Sequence, residues 1–251
     1  MAKVIVLGSA SSIPDVNHGN THLAISNHNR FIMIDCVNNP IVRLLKARLD
    51  FHQLSDLFLT HFHPDHVSGV PLLLMDMWLL ERKTPLRIYG LKPTIERIEK
   101  VMDLFGWKDW PNFFSTTFHV LPEKNMVLAM DDDDFRIYSS PVRHLIPTMG
   151  MRIEMIENNK IIAYSCDTSP CSSMDELASG ADVLIHEATG ESIGHSSAFQ
   201  AGEAAQKAQA KSLYLIHYNV DPNIYRHLTA EAKQAYDGPV FLAEDFLEID
   251  L

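Results

Sequence analysis

The sequence predicts a mixed fold of strands and helices, built as a single α+β domain over residues 1–251. Three observations predict it. Short apolar runs of strand length alternate with helix-length segments along the whole chain. An apolar content of 46% and a charged content of 21% are ordinary for a globular chain, and the length can bury a sizeable core. No internal repeat, low-complexity linker or shift in composition divides the sequence.

The elements follow in order. Residues 4–7 form an apolar run too brief for a signal-peptide core, and read as a first strand. Residues 22–26 and 31–35 are strands, joined by a turn at Asn27-His28-Asn29. A helix is expected from Pro40 to about Ala47, and then a strand through Leu57-Phe58-Leu59. Residues 67–81 are apolar on most faces and read as one largely buried helix. Residues 86–89 are a strand, and Pro93 opens a helix to about Phe105. Further strands are expected at residues 115–120, 126–130, 135–140, 151–156 and 161–165. The acidic run 131–134 reads as a hairpin tip whose carboxylates point to water. Strands at 183–185 and 213–216 and helices at 198–210 and 229–236 complete the chain.

Composition excludes some functions. A net charge of −11 argues against a broad nucleic-acid surface, which needs clustered Lys and Arg. No segment approaches the length of a membrane span. Cys36, Cys166 and Cys171 make no disulfide framework, so the expected setting is reducing and cytoplasmic. Cys166 precedes Asp167, which raises a metal role; a buried, inert thiol is the preferred reading.

The chemistry is concentrated in Thr60-His61-Phe62-His63-Pro64-Asp65-His66. Three imidazoles and a carboxylate within six residues suit zinc or a similar divalent ion. His61 and His63 can point the same way from extended backbone, while Asp65 and His66 lie past a turn and can face a second ion. Other strand patterns also deliver ligand-type residues at their ends: residues 136–140 lead to His144, 161–166 to Asp167, and 213–216 to His217. Taken alone, His144 and His217 read as hydrogen-bonded structural histidines and Asp167 as a turn or cap residue. Their order behind the His61 cluster favours metal binding, because rigid scaffolds converge catalytic groups at strand termini.

These residues, with Leu7-Gly8-Ser9-Ala10 and Ile34-Asp35-Cys36, resemble the metallo-β-lactamase superfamily over essentially the whole chain. The resemblance implies an αββα sandwich with two metal ions at one edge of its sheets. It implies that His61, His63 and His144 hold one ion, that Asp65, His66 and His217 hold the other, and that Asp167 bridges them. His63 stands where the di-iron flavoprotein branch has Glu, which favours hydrolysis over redox chemistry. The metals implied are zinc, with Mn or Fe as alternatives. His186-Glu187-Ala188-Thr189, His195-Ser196-Ser197-Ala198 and Leu215-Ile216-His217-Tyr218 resemble the ribonuclease Z branch, and related phosphodiesterases share parts of this tail. That similarity implies phosphodiester hydrolysis by a metal-bridging hydroxide. Asp65 would orient or deprotonate the attacking water, a cationic His195 would stabilise the transition state or protonate the leaving oxygen, and Glu187 would hold His195. The structural alternatives are His195 as a helix cap and Glu187 as a buried partner.

The chain departs from ribonuclease Z in ways that bear on substrate. Only residues 145–166 separate His144 from Asp167, leaving no room for the long basic exosite arm of that branch. Cys166 replaces the usual Gly before the bridging Asp, and Val37 replaces the Gly after Asp35-Cys36. The expected substrate is a small or cyclic phosphodiester. A ribonuclease Z-type tRNA endonuclease, working on RNA as a homodimer, and a carboxylic-ester, thioester or lactone hydrolase are the alternatives. The aromatic segment 105–114, with Trp107, Trp110, Phe113 and Phe114, reads as a substrate lid, a dimer contact or core.

Overall fold

The computed structural model describes residues 2–28 and 30–251. β1 (Lys3–Gly8), β2 (His22–Asn27) and β3 (Arg30–Ile34) pair antiparallel in succession, and α1 (Pro40–Lys46) follows. In the turn between β2 and β3, His28 takes a φ of 50°, and Asn29 lies outside the described residues. β4 (Leu54–Leu59) adds parallel to β3. α2 (Pro64–Val67), α3 (Val70–Leu79), β5 (Leu86–Leu91), α4 (Lys92–Leu104) and β6 (Thr116–Leu121) come next. β7 (Val127–Asp131), β8 (Phe135–Val142), β9 (Thr148–Met155) and β10 (Ile161–Tyr164) form an antiparallel meander. The chain closes through α5 (Ser172–Ala178), β11 (Val183–Ala188), α6 (Ala198–Ala208), β12 (Leu213–Tyr218), α7 (Pro222–Ala232), β13 (Val240–Leu242) and β14 (Glu248–Asp250).

These strands make two seven-stranded sheets, ordered β14-β1-β2-β3-β4-β5-β6 and β13-β12-β11-β10-β9-β8-β7. Period-two alternation builds the layers. In β1 to β3, Val4, Val6, Leu23, Ile25, Ile32 and Ile34 face the core between the sheets. Their neighbours Ile5, Leu7, Ala24, Phe31 and Met33 pack on the outer helices α1, α3 and α4. On the other sheet, Ala163, Leu184, Leu213 and Leu215 pack under α5, α6 and α7, of which α6 presents a face of Ala and Gly. Burial on both faces explains why the parallel strands read as unbroken apolar runs. The result is the expected αββα sandwich. Among the described residues, no helix is long and apolar enough to cross a membrane.

Several expectations are corrected. The helix expected over residues 67–81 is shorter, α3 over Val70–Leu79, and Ser68-Gly69 separates it from α2, which ends at Val67. Gly69 lies so close to Val37 that a Cβ there would approach the Val37 backbone to 2.9 Å. α3 buries one face only, through Val70, Leu73, Leu74 and Met77, and leaves Leu79 and Leu80 exposed. The 131–134 run does not simply face water. Asp132 accepts from the amides of Asp134 and Phe135 and from Arg30, while Asp134 accepts from Asn27. The last helix starts at Pro222, not Thr229, because Asp221 caps it by accepting the Asn223 amide at 2.9 Å. For the aromatic segment the contacts fit the core reading, with Phe114 buried and Trp107, Trp110 and Phe113 packed against the outer core. Trp110 stacks on Trp78 of α3 with centroids 4.9 Å apart, and Trp107 meets Phe113 and Phe118 edge-on.

Candidate metal centre

Backbone pairing draws the ligand-type residues to one edge of the sandwich. His61 and His63 follow β4, His144 follows β8, and Asp167 follows β10. His217 is the penultimate residue of β12. The two sheets are tied at this edge, where the Met149 amide donates to Thr60 O at 3.1 Å and the His217 amide to Ser9 O at 2.9 Å. Asp35, Cys166 and His217 adopt φ values of 62°, 52° and 52°. Such left-handed backbone costs a non-glycine residue on the order of 1 kcal/mol and concentrates at functional sites. The φ at Cys166 gives a physical reason for glycine at this place in the resembling branch.

Two triads of ligand atoms result. His61, His63 and His144 converge, with His63 Nδ1 lying 2.9 Å from His61 Nε2 and 3.2 Å from His144 Nε2. Asp65, His66 and His217 form the second group, with Asp65 Oδ2 at 3.7 Å from His66 Nε2 and 3.6 Å from His217 Nε2. Asp167 stands between them. Its Oδ1 is 3.5 Å from the Nε2 atoms of both His66 and His217. Its Oδ2 lies 4.0 Å from His61 Nε2 and 3.9 Å from His144 Nε2.

Whether this set fits metal ions is answered by the second nitrogen of four of the five rings. His66 Nδ1 donates to Asp35 Oδ2 at 2.7 Å, and His144 Nδ1 to Gly194 O at 2.8 Å. The Thr189 hydroxyl donates to His217 O, so it accepts from His217 Nδ1 at 2.9 Å. The Thr60 hydroxyl is spent on Asp35, so it accepts from His61 Nδ1 at 3.1 Å. Each bond assigns the ring proton to the outer nitrogen and turns an Nε2 lone pair inward, the arrangement of metal-binding histidines. His66 Nε2, His217 Nε2 and Asp167 Oδ1 are moreover buried without a hydrogen-bond partner. Buried polar atoms are rarely left so, and a cation between them satisfies all three. The donor set therefore fits divalent ions.

Electrostatics agree. Burial, reinforced by the charge of His66, holds the His61 imidazole well below its usual range. Burial would raise the Asp167 carboxyl, but His217 and His66 outweigh it and keep the group well below the usual carboxylate range. Burial pushes His66 down, yet Asp167 and Asp35 raise it well above its ordinary value. A divalent ion competes with that proton for the same carboxylates.

Beside the triads, His195 Nδ1 lies 3.0 Å from Glu187 Oε1, and its ring meets those of His144 at 5.0 Å and His217 at 6.0 Å. His195 is not a helix cap; Ser197 caps α6 in a capping box with Gln200. Glu187 is fully buried and accepts from the amides of Thr168, Thr189 and Ser196 as well. Burial lowers His195, but the Glu187 carboxylate outweighs it and the imidazole sits above its usual range. Cys166 is buried, and its thiol is pushed well up by burial; its Sγ lies 3.6 Å from His61 Nδ1, on the side away from the triad.

The sequence reading assigned no role to Thr60, Asp35, Thr189 or Gly194, which orient the imidazoles. None of them carried a local signal, and the need for glycine at one of them shows only in the structure: Gly194 has φ 84°, and a Cβ there would come 2.9 Å from His144 Nδ1. Gly194→Ala is thus expected to displace the His144 ring and weaken metal binding, measurable by titration of the metal-free protein. Asp35→Asn is expected to lower metal affinity by roughly 10- to 100-fold, as loss of such an orienting partner does elsewhere; unchanged affinity would refute the role.

The comparisons agree with this geometry. The beta-lactamase superfamily domain model matches residues 30–218. The chain is 26% identical over 301 aligned positions to ribonuclease Z of Parabacteroides distasonis, covering 98% of each chain. It is 26% identical over 307 positions to ribonuclease Z of Methanothermobacter thermautotrophicus, covering 100% of this chain and 97% of that one. Human tRNase Z, short form, superposes with a TM-score of 0.80 at 25% identity, covering 99% of this chain and 98% of that one. The metallo-beta-lactamase fold protein YhfI from Bacillus subtilis gives a TM-score of 0.84 at 22% identity, with 99% and 98% covered. The chain belongs to the beta-lactamase superfamily and is a metal-dependent hydrolase of the metallo-β-lactamase fold.

Proposed function

We propose that the chain is a dinuclear phosphodiesterase acting as one domain in the cytoplasm, with zinc as the expected metal. The observation that carries this reading is the pair of inward-facing triads bridged by Asp167, with a carboxylate-held His195 at their side. His61, His63 and His144 would hold one ion, and Asp65, His66 and His217 the other. When bound, such a pair supplies charge that neutralises phosphate oxygens and lowers the pKa of water. Asp65, partly exposed, orients the attacking water toward the phosphorus. Protonated His195 faces the same space and gives its proton to the departing alcohol oxygen. Glu187 keeps His195 protonated and fixes its ring through Nδ1, leaving Nε2 to donate.

A small or cyclic phosphodiester is the preferred substrate. Between His144 and Asp167 the chain forms only β9, a turn and β10. Alignments of 301 and 307 positions on 251 residues mean that the ribonuclease Z relatives carry segments this chain lacks. The net charge of −11 also disfavours a long polyanion. RNA is the second reading, favoured by the names of those relatives. Metal-loaded protein is expected to hydrolyse bis-p-nitrophenyl phosphate and a cyclic nucleotide faster than a lactone or thioester. Turnover of carbon esters alone would contradict the proposal, and cleavage of precursor tRNA at comparable efficiency would select the RNA reading.

A further inference from the structure

Behind the metal centre, between α5 and α6, lies a cavity of about 460 Å³ whose residues take no part in the chemistry above. Cys171 and His186 line it, together with Asp175, Glu203 and Lys207. His186 is 2% exposed. Its Nδ1 donates to the Glu187 carbonyl at 2.9 Å, which leaves Nε2 as a bare lone pair. No other protein hydrogen bond reaches this ring among the described residues, so a nearly buried imidazole presents an unpaired Nε2 to the open space of the cavity. Burial holds the imidazole below its usual range, in keeping with a neutral acceptor.

Cys171 is the partly exposed thiol of this chain, whereas Cys36 and Cys166 are fully buried. Its Sγ lies 3.4 Å from Ser173 Oγ and 3.6 Å from Thr168 Oγ1. Thr168 connects this cavity to the catalytic edge. Its amide donates to Glu187 Oε1 at 2.9 Å, the same oxygen that holds His195 Nδ1 at 3.0 Å.

We propose that Cys171 is a modification site for small zwitterionic thiol compounds in their disulfide form, with this cavity as the docking site. His186 Nε2 accepts a hydrogen bond from an ammonium or amide N–H of the incoming molecule. Asp175 and Glu203 complement its ammonium, and Lys207, paired with Asp175 at 2.6 Å, complements its carboxylate. Cys171 gives its proton to solvent, and the thiolate attacks one sulfur of the disulfide. A mixed disulfide forms, the original S–S bond breaks, and the departing thiolate takes the electron pair and then a proton. Cys171 is oxidised and the departing half is reduced. The added bulk displaces Thr168, and with it the carboxylate that holds His195.

The test uses the full chain loaded with metal, treated with oxidised glutathione or with uncharged hydroxyethyl disulfide and followed by intact mass and peptide mapping. The expected result is one adduct, on Cys171, formed several-fold faster with oxidised glutathione. Cys171→Ser gives none. His186→Asn keeps the donor to the Glu187 carbonyl and removes Nε2, so it reduces the preference for glutathione; Ala204→Phe, which narrows the cavity, slows both reagents. Turnover of bis-p-nitrophenyl phosphate falls in the modified protein and not in treated Cys171→Ser. That last arm rests on the phosphodiesterase reading, whereas the adduct is read by mass alone, so the two failures are distinguishable. No adduct, an adduct on Cys36 or Cys166, or equal rates with the two disulfides would overturn the site. An adduct that leaves turnover unchanged would overturn its coupling to His195.

Discussion

Asp167→Ala is expected to lower turnover of the metal-loaded enzyme by roughly 10³-fold or more, since a Lewis-acidic ion supplies several kcal/mol and about 1.4 kcal/mol is tenfold. The carboxylate is the group that both triads share. Its Oδ1 is 3.5 Å from His66 and His217, and its Oδ2 about as close to His61 and His144. Removing it leaves the five imidazoles of the two triads with Asp65 as the one carboxylate among them. Metal content should fall along with turnover, and the two are measured on the same sample. Asp167→Asn separates charge from shape: it keeps the volume and is expected to be nearly as damaging, because the site needs the negative charge. Full turnover in either variant would remove Asp167 from the centre.

His195→Ala carries the second largest expected effect, a loss of roughly 10²- to 10⁴-fold in kcat, the usual contribution of a positioned acid. Metal content should stay unchanged, because His195 belongs to neither triad. The pH profile supplies a further check. In the proposed mechanism the active form is protonated, and Glu187 raises the imidazole above its ordinary value despite burial. Activity is therefore retained above the usual histidine range and lost as pH rises through the raised pKa. Glu187→Gln weakens that support and is expected to move the falling limb to lower pH. A limb that stays in place in Glu187→Gln would contradict the role of Glu187, and wild-type kcat in His195→Ala would contradict that of His195.

The candidate metal centre was legible in the sequence where its information is local. His61 to His66 fall in one short run, and alternation alone sets His61 and His63 on one side. His144, Asp167 and His217 were legible because apolar strand patterns run directly into them. The partners that orient those rings were not legible. Asp35 reaches His66 across 31 positions and Gly194 reaches His144 across 50, distances over which periodicity carries nothing. The left-handed backbone at Asp35, Cys166 and His217 is imposed by the turn of each strand at the sheet edge, against residue preference. Among the elements, α5, β13 and β14 passed unseen for a related reason. β14 is three residues long and exists through its pairing with β1. The break between α2 and α3 did carry a local signal, Gly69 with Pro71, which the apolarity of the stretch concealed.

The most direct test of the central claim is anomalous diffraction from crystals of the zinc-loaded protein. Two ions are expected per chain, one within His61, His63 and His144, the other within Asp65, His66 and His217, with Asp167 touching both. A single ion, or two ions lying elsewhere, would contradict it.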